Sequence, residues 1–112
     1  MGLHVKLRSA ILLSAVMVLA GCTALGGAKV ATIQVEAPAS LCWSGAIGDA
    51  TRDGCGDATF EIDSSISIFV ANAQKQSDDS RPLTLKLIIE GKVVDTATTT
   101  AAYGIATVSG QG

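Results

Sequence analysis

Residues 83–99 read LTLKLIIEGKVVDTATT, and their alternation decides the fold. Leu83, Leu85, Leu87 and Ile89 take every second position, with Thr84, Lys86, Ile88 and Glu90 between them. Period two belongs to a strand with one buried face, because successive side chains leave the pleat on opposite sides. A slip of one residue would put the Leu/Ile row in water and bury Lys86, so the register is strongly specified. Glu90-Gly91 is a tight turn signal, and residues 92–99 return as the antiparallel partner. Ile88 is the exception on the polar face. It implies that this face is partly covered, by a loop or by a partner, and marks Ile88 as a candidate partner contact.

Working outward, the same period recurs. Ala31, Ile33, Val35 and Ala37 alternate with Thr32, Gln34 and Glu36 until Pro38 ends the strand. Residues 41–47 (LCWSGAI) form a second candidate strand, whereas residues 49–57 (DATRDGCGD) have the composition of a loop. Residues 59–63 alternate again, with Phe60 and Ile62 inward. Residues 66–74 (ISIFVANAQ) are apolar on both faces, as in a central strand. Residues 75–82 (KQSDDSRP) read as a charged loop, and residues 103–109 (YGIATVS) as a last strand. About seven short strands with frequent turn signals predict an all-β chain: a small antiparallel β-sandwich, immunoglobulin-like or C2-like in outline. The surroundings of Trp43 do not follow the immunoglobulin Cys…Trp…Cys spacing. Trp43, Phe60 and Phe69 are expected in the core, and Tyr103 on the last strand.

The start of the chain has a different character. Residues 1–8 carry Lys6 and Arg8 and no acid, and residues 10–20 (AILLSAVMVLA) are apolar except for Ser14. That is the layout of a secretory signal, expected to be helical, and the run is short for a span of about 20 apolar residues. It ends in Leu19-Ala20-Gly21-Cys22. This tetrad resembles the bacterial lipobox: an aliphatic residue, two small residues and a cysteine. The resemblance implies cleavage between Gly21 and Cys22, diacylation of the Cys22 thiol, and often acylation of the new amino group. An ordinary cleaved signal and an uncleaved anchor helix running on through residues 23–28 are the alternatives. The reading divides the chain into a signal peptide (1–21), a lipidated tether (22–28) and a β-sandwich domain (29–112). The expected location is the cell membrane or outer membrane, on the extracytoplasmic side. Thr23, which is not aspartate, favours the outer membrane in a Gram-negative host.

Without the leader, six basic residues face ten acidic ones, a net charge of −4. The charges are scattered and form no basic block, which disfavours nucleic acid and polybasic binding to anionic lipid. Attachment to the membrane therefore falls to the acyl chains, of which two or more hold stably. Setting Cys22 aside leaves Cys42 and Cys55, an even pair in an oxidising compartment, and predicts a disulfide. Two free buried thiols are the alternative. There is no Cys-x-x-Cys, and the one histidine, His4, lies in the leader, so zinc and redox roles have little to stand on.

Asp49, Thr51, Asp53, Gly54 and Asp57 fall at positions 1, 3, 5, 6 and 9 of an EF-hand loop. Position 12 is Phe60, and Glu61 arrives one residue late. Asp49, Asp53 and Asp57 are thus a weak candidate metal site, set against a solvated loop pinned by the disulfide. Asp78-Asp79 is the one adjacent carboxylate pair. With Lys75, Gln76 and Arg81 it forms a charged loop that caps the fold or meets a partner. There is no Gly-x-Ser-x-Gly, no phosphate loop and no nucleophile with an evident base, so neither an enzyme nor a cofactor is expected.

Residues 71–109, with LTLKLIIEGKVVDTATTTAAYGIATVS, resemble the C-terminal hairpin region of the MmpS-type small membrane proteins that accompany mycobacterial RND-type transporters. Those share a strand, a Gly-x-Val-Val turn and a Thr/Ala-rich strand. The wider pattern is similar to exported prokaryotic β-domains. The resemblance implies a transport-accessory role. It transfers no functional residue, because the family's membrane helix and cysteine positions are not reproduced. The expectation is a non-enzymatic, lipid-anchored envelope module with an envelope protein as partner. A lipoprotein that binds a small ligand or Ca2+ through residues 49–57 is the alternative.

Overall fold

The computed structural model describes residues 27–112, so the leader, with Gly21 and Cys22, lies outside the described residues. Eight strands follow: β1 (Val30–Glu36), β2 (Cys42–Ile47), β3 (Ala50–Cys55), β4 (Ala58–Asp63), β5 (Ile68–Lys75), β6 (Leu83–Ile89), β7 (Lys92–Thr99) and β8 (Ile105–Gln111). They form two four-stranded antiparallel sheets, ordered β4-β1-β6-β7 and β3-β2-β5-β8. The described residues form an all-β sandwich.

The deciding stretch behaves as its pattern requires. Leu83, Leu85 and Leu87 are 0 % exposed and Ile89 5 %, while Thr84, Lys86 and Ile88 are half-buried on the outer face. Glu90 and Gly91 both have positive φ (53° and 79°), the type I′ geometry that matches strand twist, and Ile89 pairs with Lys92 across them. The register shifts once, between Leu87 and Ile88, leaving Val94 of β7 unpaired as a bulge. Beyond it, Asp95 Oδ2 accepts the Ser109 N–H at 2.9 Å and bridges the β7 edge to the β8 edge of the other sheet.

The core lies between the sheets. Ile33, Val35 and the β6 leucines meet Trp43, Phe69, Ala71, Ala73 and Val108. The Trp43 indole donates to the Gly56 carbonyl at 2.9 Å, so its one polar atom is satisfied although the residue is 1 % exposed. Phe60 sits half-buried at the β4 edge, edge-on to Trp43 with ring centroids 6.0 Å apart. The Arg52 guanidinium lies over the Phe60 ring, 5.4 Å from its centroid.

Three readings need correction. Residues 49–57 are not a loop: β3 occupies most of them, paired along its length with β2 through a two-residue turn at Gly48-Asp49. Gly48 alone has positive φ there (68°), the type II′ pattern. Its polar composition fits an edge strand: Thr51, Asp53 and Cys55 face solvent. Inward-facing Gly54 leaves room for Trp43, whose ring carbon would lie 3.1 Å from an added Cβ. Second, Tyr103 is not on the last strand. It sits in the preceding turn with φ 52° and is 54 % exposed. Third, Lys75 ends β5 rather than opening a loop, and it is fully buried.

The antiparallel order gives the sandwich two distinct ends. At the tether end, Gly27 and Ala28 enter beside Ser67 and Gly112, next to residues 64–67 and the turns at Gly48-Asp49 and Glu90-Gly91. The far end gathers residues 38–41, 56–57, 76–82 and 100–104.

Candidate functional site

The far end is built around Lys75. Phe69, Ala71, Ala73 and Lys75 share the inward face of β5, so the strand that fills the core delivers an ammonium group to its rim. Lys75 Nζ donates to the Asp79 carbonyl at 2.5 Å and the Thr100 carbonyl at 3.4 Å, and lies 3.5 Å from Asp79 Oδ1. A buried charge persists only when paired and hydrogen-bonded, and here three acceptors surround three donors. The acceptors come from two loops, which the ammonium thereby ties together.

Asp79 carries the network outward. Its Oδ2 accepts from Arg81 Nε at 3.0 Å and Arg81 Nη2 at 2.8 Å, a fork-shaped pair. Its Oδ1 accepts the Arg81 backbone N–H at 3.0 Å. The Arg81 side chain, followed by that backbone donor, holds the Asp79 carboxyl well below the usual carboxylate range. Arg81 Nη1 continues to Ser40 Oγ at 2.7 Å, joining residues 38–41 to the cluster. The last loop is fixed by the Tyr103 N–H to the Ser77 carbonyl and by Gln74 Nε2 to the Tyr103 carbonyl, both 2.9 Å. Above this scaffold stand Tyr103 and Ile105, 54 % and 59 % exposed.

The disulfide lies on the same end. Cys42 and Cys55 are bonded across β2 and β3, with alpha-carbons 3.8 Å apart. The Gly56 N–H to Leu41 carbonyl bond beside them, at 2.9 Å, makes theirs a non-hydrogen-bonded pair, where side chains come closest. A surface hollow of about 430 Å³ adjoins the bond, bordered by Ser44, Asp53 and Gln76.

Other candidate residues are dispersed. Asp49 sits in the β2–β3 turn, Asp53 on the outer face of β3, and Asp57 beyond its end, where Oδ1 accepts the Ala37 N–H at 2.9 Å. Asp49 and Asp53 lie four residue steps apart along β3, roughly 13 Å at strand rise. Among the described residues no group of three or more His, Cys, Asp or Glu is placed to hold a metal ion. Asp78 is exposed, whereas Lys75, Asp79 and Arg81 are engaged with each other. Ile88 lies beside the tether end, flanked by Thr32 on β1 and Val93 on β7.

Sequence reasoning missed the burial of Lys75 and the bridge made by Asp95. The first had a usable signal: extending the Phe69–Ala73 alternation by one step places Lys75 inward. The second had none, because it depends on two edges of different sheets meeting. No protein-family model and no curated protein matches the chain.

Proposed function

We propose that the protein is a lipid-anchored interaction module of the cell envelope, acylated at Cys22 and presenting its far end to an envelope protein. The observation that carries this reading is the Leu19-Ala20-Gly21-Cys22 tetrad behind a basic n-region and an apolar run. Two features of the domain agree with it. A disulfide suits an oxidising compartment. The tether end and the loop-built end lie at opposite ends of the strands, so anchoring at one leaves the other free. A transport-accessory role is the narrower form, supported by the resemblance of residues 71–109 to the MmpS-type hairpin.

The test is metabolic labelling with palmitate in cells expressing the full chain or Cys22→Ser. The parent is expected to take up label and fractionate with membranes, and Cys22→Ser to accumulate as an unlabelled precursor. Label surviving the substitution overturns the anchor. For the interaction, Tyr103→Asp is expected to remove a partner that co-purifies from detergent-solubilised membranes while leaving acylation intact.

A further inference from the structure

Exposed large apolar side chains are unevenly placed on this domain. Among the described residues Val30, Ile66, Ile68, Val70, Val93 and Val94 all lie toward the tether end, against Tyr103 and Ile105 at the other. Around that end they occupy the outer faces of both sheets, the β7–β8 border and the tip, while the β3–β4 border carries none. Val30 and Val93 are on the outer face of one sheet, and Ile68 and Val70 on the outer face of the other. Val94 is at the β7 bulge, and Ile66, 71 % exposed, is in the connecting turn. A protein interface usually covers one face. A collar around one end fits a planar boundary crossing the strands.

From this collar we infer that the tether end is seated in the lipid surface, with the Ile66 turn as its deepest point. The inference rests on the acylation proposed above, which supplies the geometry. Five residue steps separate Cys22 from Gly27, so the acylated cysteine lies within about 18 Å of the end that carries the collar. Ile68 and Val70 differ in height by roughly 7 Å along the strand, comparable with the 5–10 Å to which monotopic elements enter the interface. The Ile66 turn is also held in shape. Lys29 Nζ donates to the Ser65 carbonyl at 2.8 Å, and Ser64 Oγ accepts the backbone N–H groups of Ile66 and Ile68 at 3.3 and 3.2 Å. The charged groups at this level are Lys29, Lys92, Asp49, Glu61, Asp63, Glu90 and Asp95, a net −3. Contact is therefore apolar rather than electrostatic, and added salt should not release it.

The test uses the full acylated chain reconstituted in phosphatidylethanolamine–phosphatidylglycerol vesicles that contain a lipid with a shallow doxyl quencher. Ile66→Trp is compared with Tyr103→Trp, and the emission of buried Trp43 is subtracted using the parent chain. Tryptophan at position 66 is expected to lose about half its emission or more, at low and high salt alike, as an interfacial site does. Tryptophan at position 103 is expected to be unaffected. Mass spectrometry of the same samples reads acylation separately. Acylated Cys22 with no quenching at position 66 overturns the lipid contact alone. Quenching at position 66 with unmodified Cys22 supports the contact and refutes the anchor.

Discussion

Replacing Lys75 by methionine removes the ammonium and keeps most of the stem. Lys75 is 0 % exposed, so the change acts on a desolvated group. Of its three contacts only the 2.5 Å bond to the Asp79 carbonyl is short; the others, at 3.4 and 3.5 Å, are weak. A hydrogen bond from a charged donor contributes about 1.5–3 kcal/mol net. Methionine fills nearly the same volume, so no cavity cost of the Leu-to-Ala kind is added. Arg81 keeps Asp79 paired, which spares the molecule an orphaned carboxylate. The expected loss is therefore about 2 kcal/mol, the cost of one good charged bond. At roughly 4–8 °C per kcal/mol for a domain of this size, Tm should fall by about 8–16 °C. Thermal unfolding followed by circular dichroism, with the disulfide intact, measures it. Amide exchange should meanwhile quicken in residues 76–82 and 100–104 while β1 and β6 stay protected, since the ammonium ties those two loops. A Tm within about 2 °C of the parent would refute the buried ammonium as a structural tie, because changes of that size are typical of exposed positions.

Leu85→Asp places an unpaired carboxylate where exposure is 0 % and is expected to leave no cooperative transition, whereas half-buried Ile88→Ser should cost no more than about 1 kcal/mol; parallel urea titrations separate the two. Asp79 titrates below its ordinary range when folded, so its contribution is complete above the unfolded carboxylate pKa and is lost as pH falls below it. Asp79→Asn should therefore flatten the drop in Tm between about pH 5 and pH 3, and an unchanged acid limb would contradict the Arg81 pairing. Reducing the Cys42–Cys55 bond, which spans 13 residues, should cost about 3 kcal/mol, read as the shift in urea midpoint with and without reductant.

Residues 83–99 were legible because their pattern and their structure obey one rule: inward leucines, outward Thr84 and Lys86, and a turn whose second residue is a glycine, which tolerates positive φ. Residues 50–55 were not. An edge strand has one neighbour and a partly exposed inner face, so Thr51, Arg52 and Asp53 meet no apolar requirement, and the composition matches that of a loop. Tyr103 misled for the opposite reason: an aromatic residue with high β propensity occupies a left-handed position that its backbone neighbours impose. The far-end cluster was half legible. Its charged residues were visible as a group, but whether they face water or each other depends on where β5 stops, one residue later than its apolar pattern suggests. The disulfide followed from counting, and its cross-strand placement only from the register of β2 and β3.

The bridge from Asp95 to Ser109 bears on how copies of the chain behave beside one another. Molecules anchored as proposed would diffuse in a plane with their sheets already aligned, so a sideways collision would present one open strand to another in pairing orientation. Such a population is prone to lateral fusion by strand addition. Here β8 has the Ser109 N–H occupied by a carboxylate, and β7 is kinked at Val94. The opposite border carries Arg52 and Asp53 on β3 and Glu61 and Asp63 on β4. Every border of the sandwich is thus capped, bent or charged, which lets neighbours crowd on a surface without zipping into ribbons.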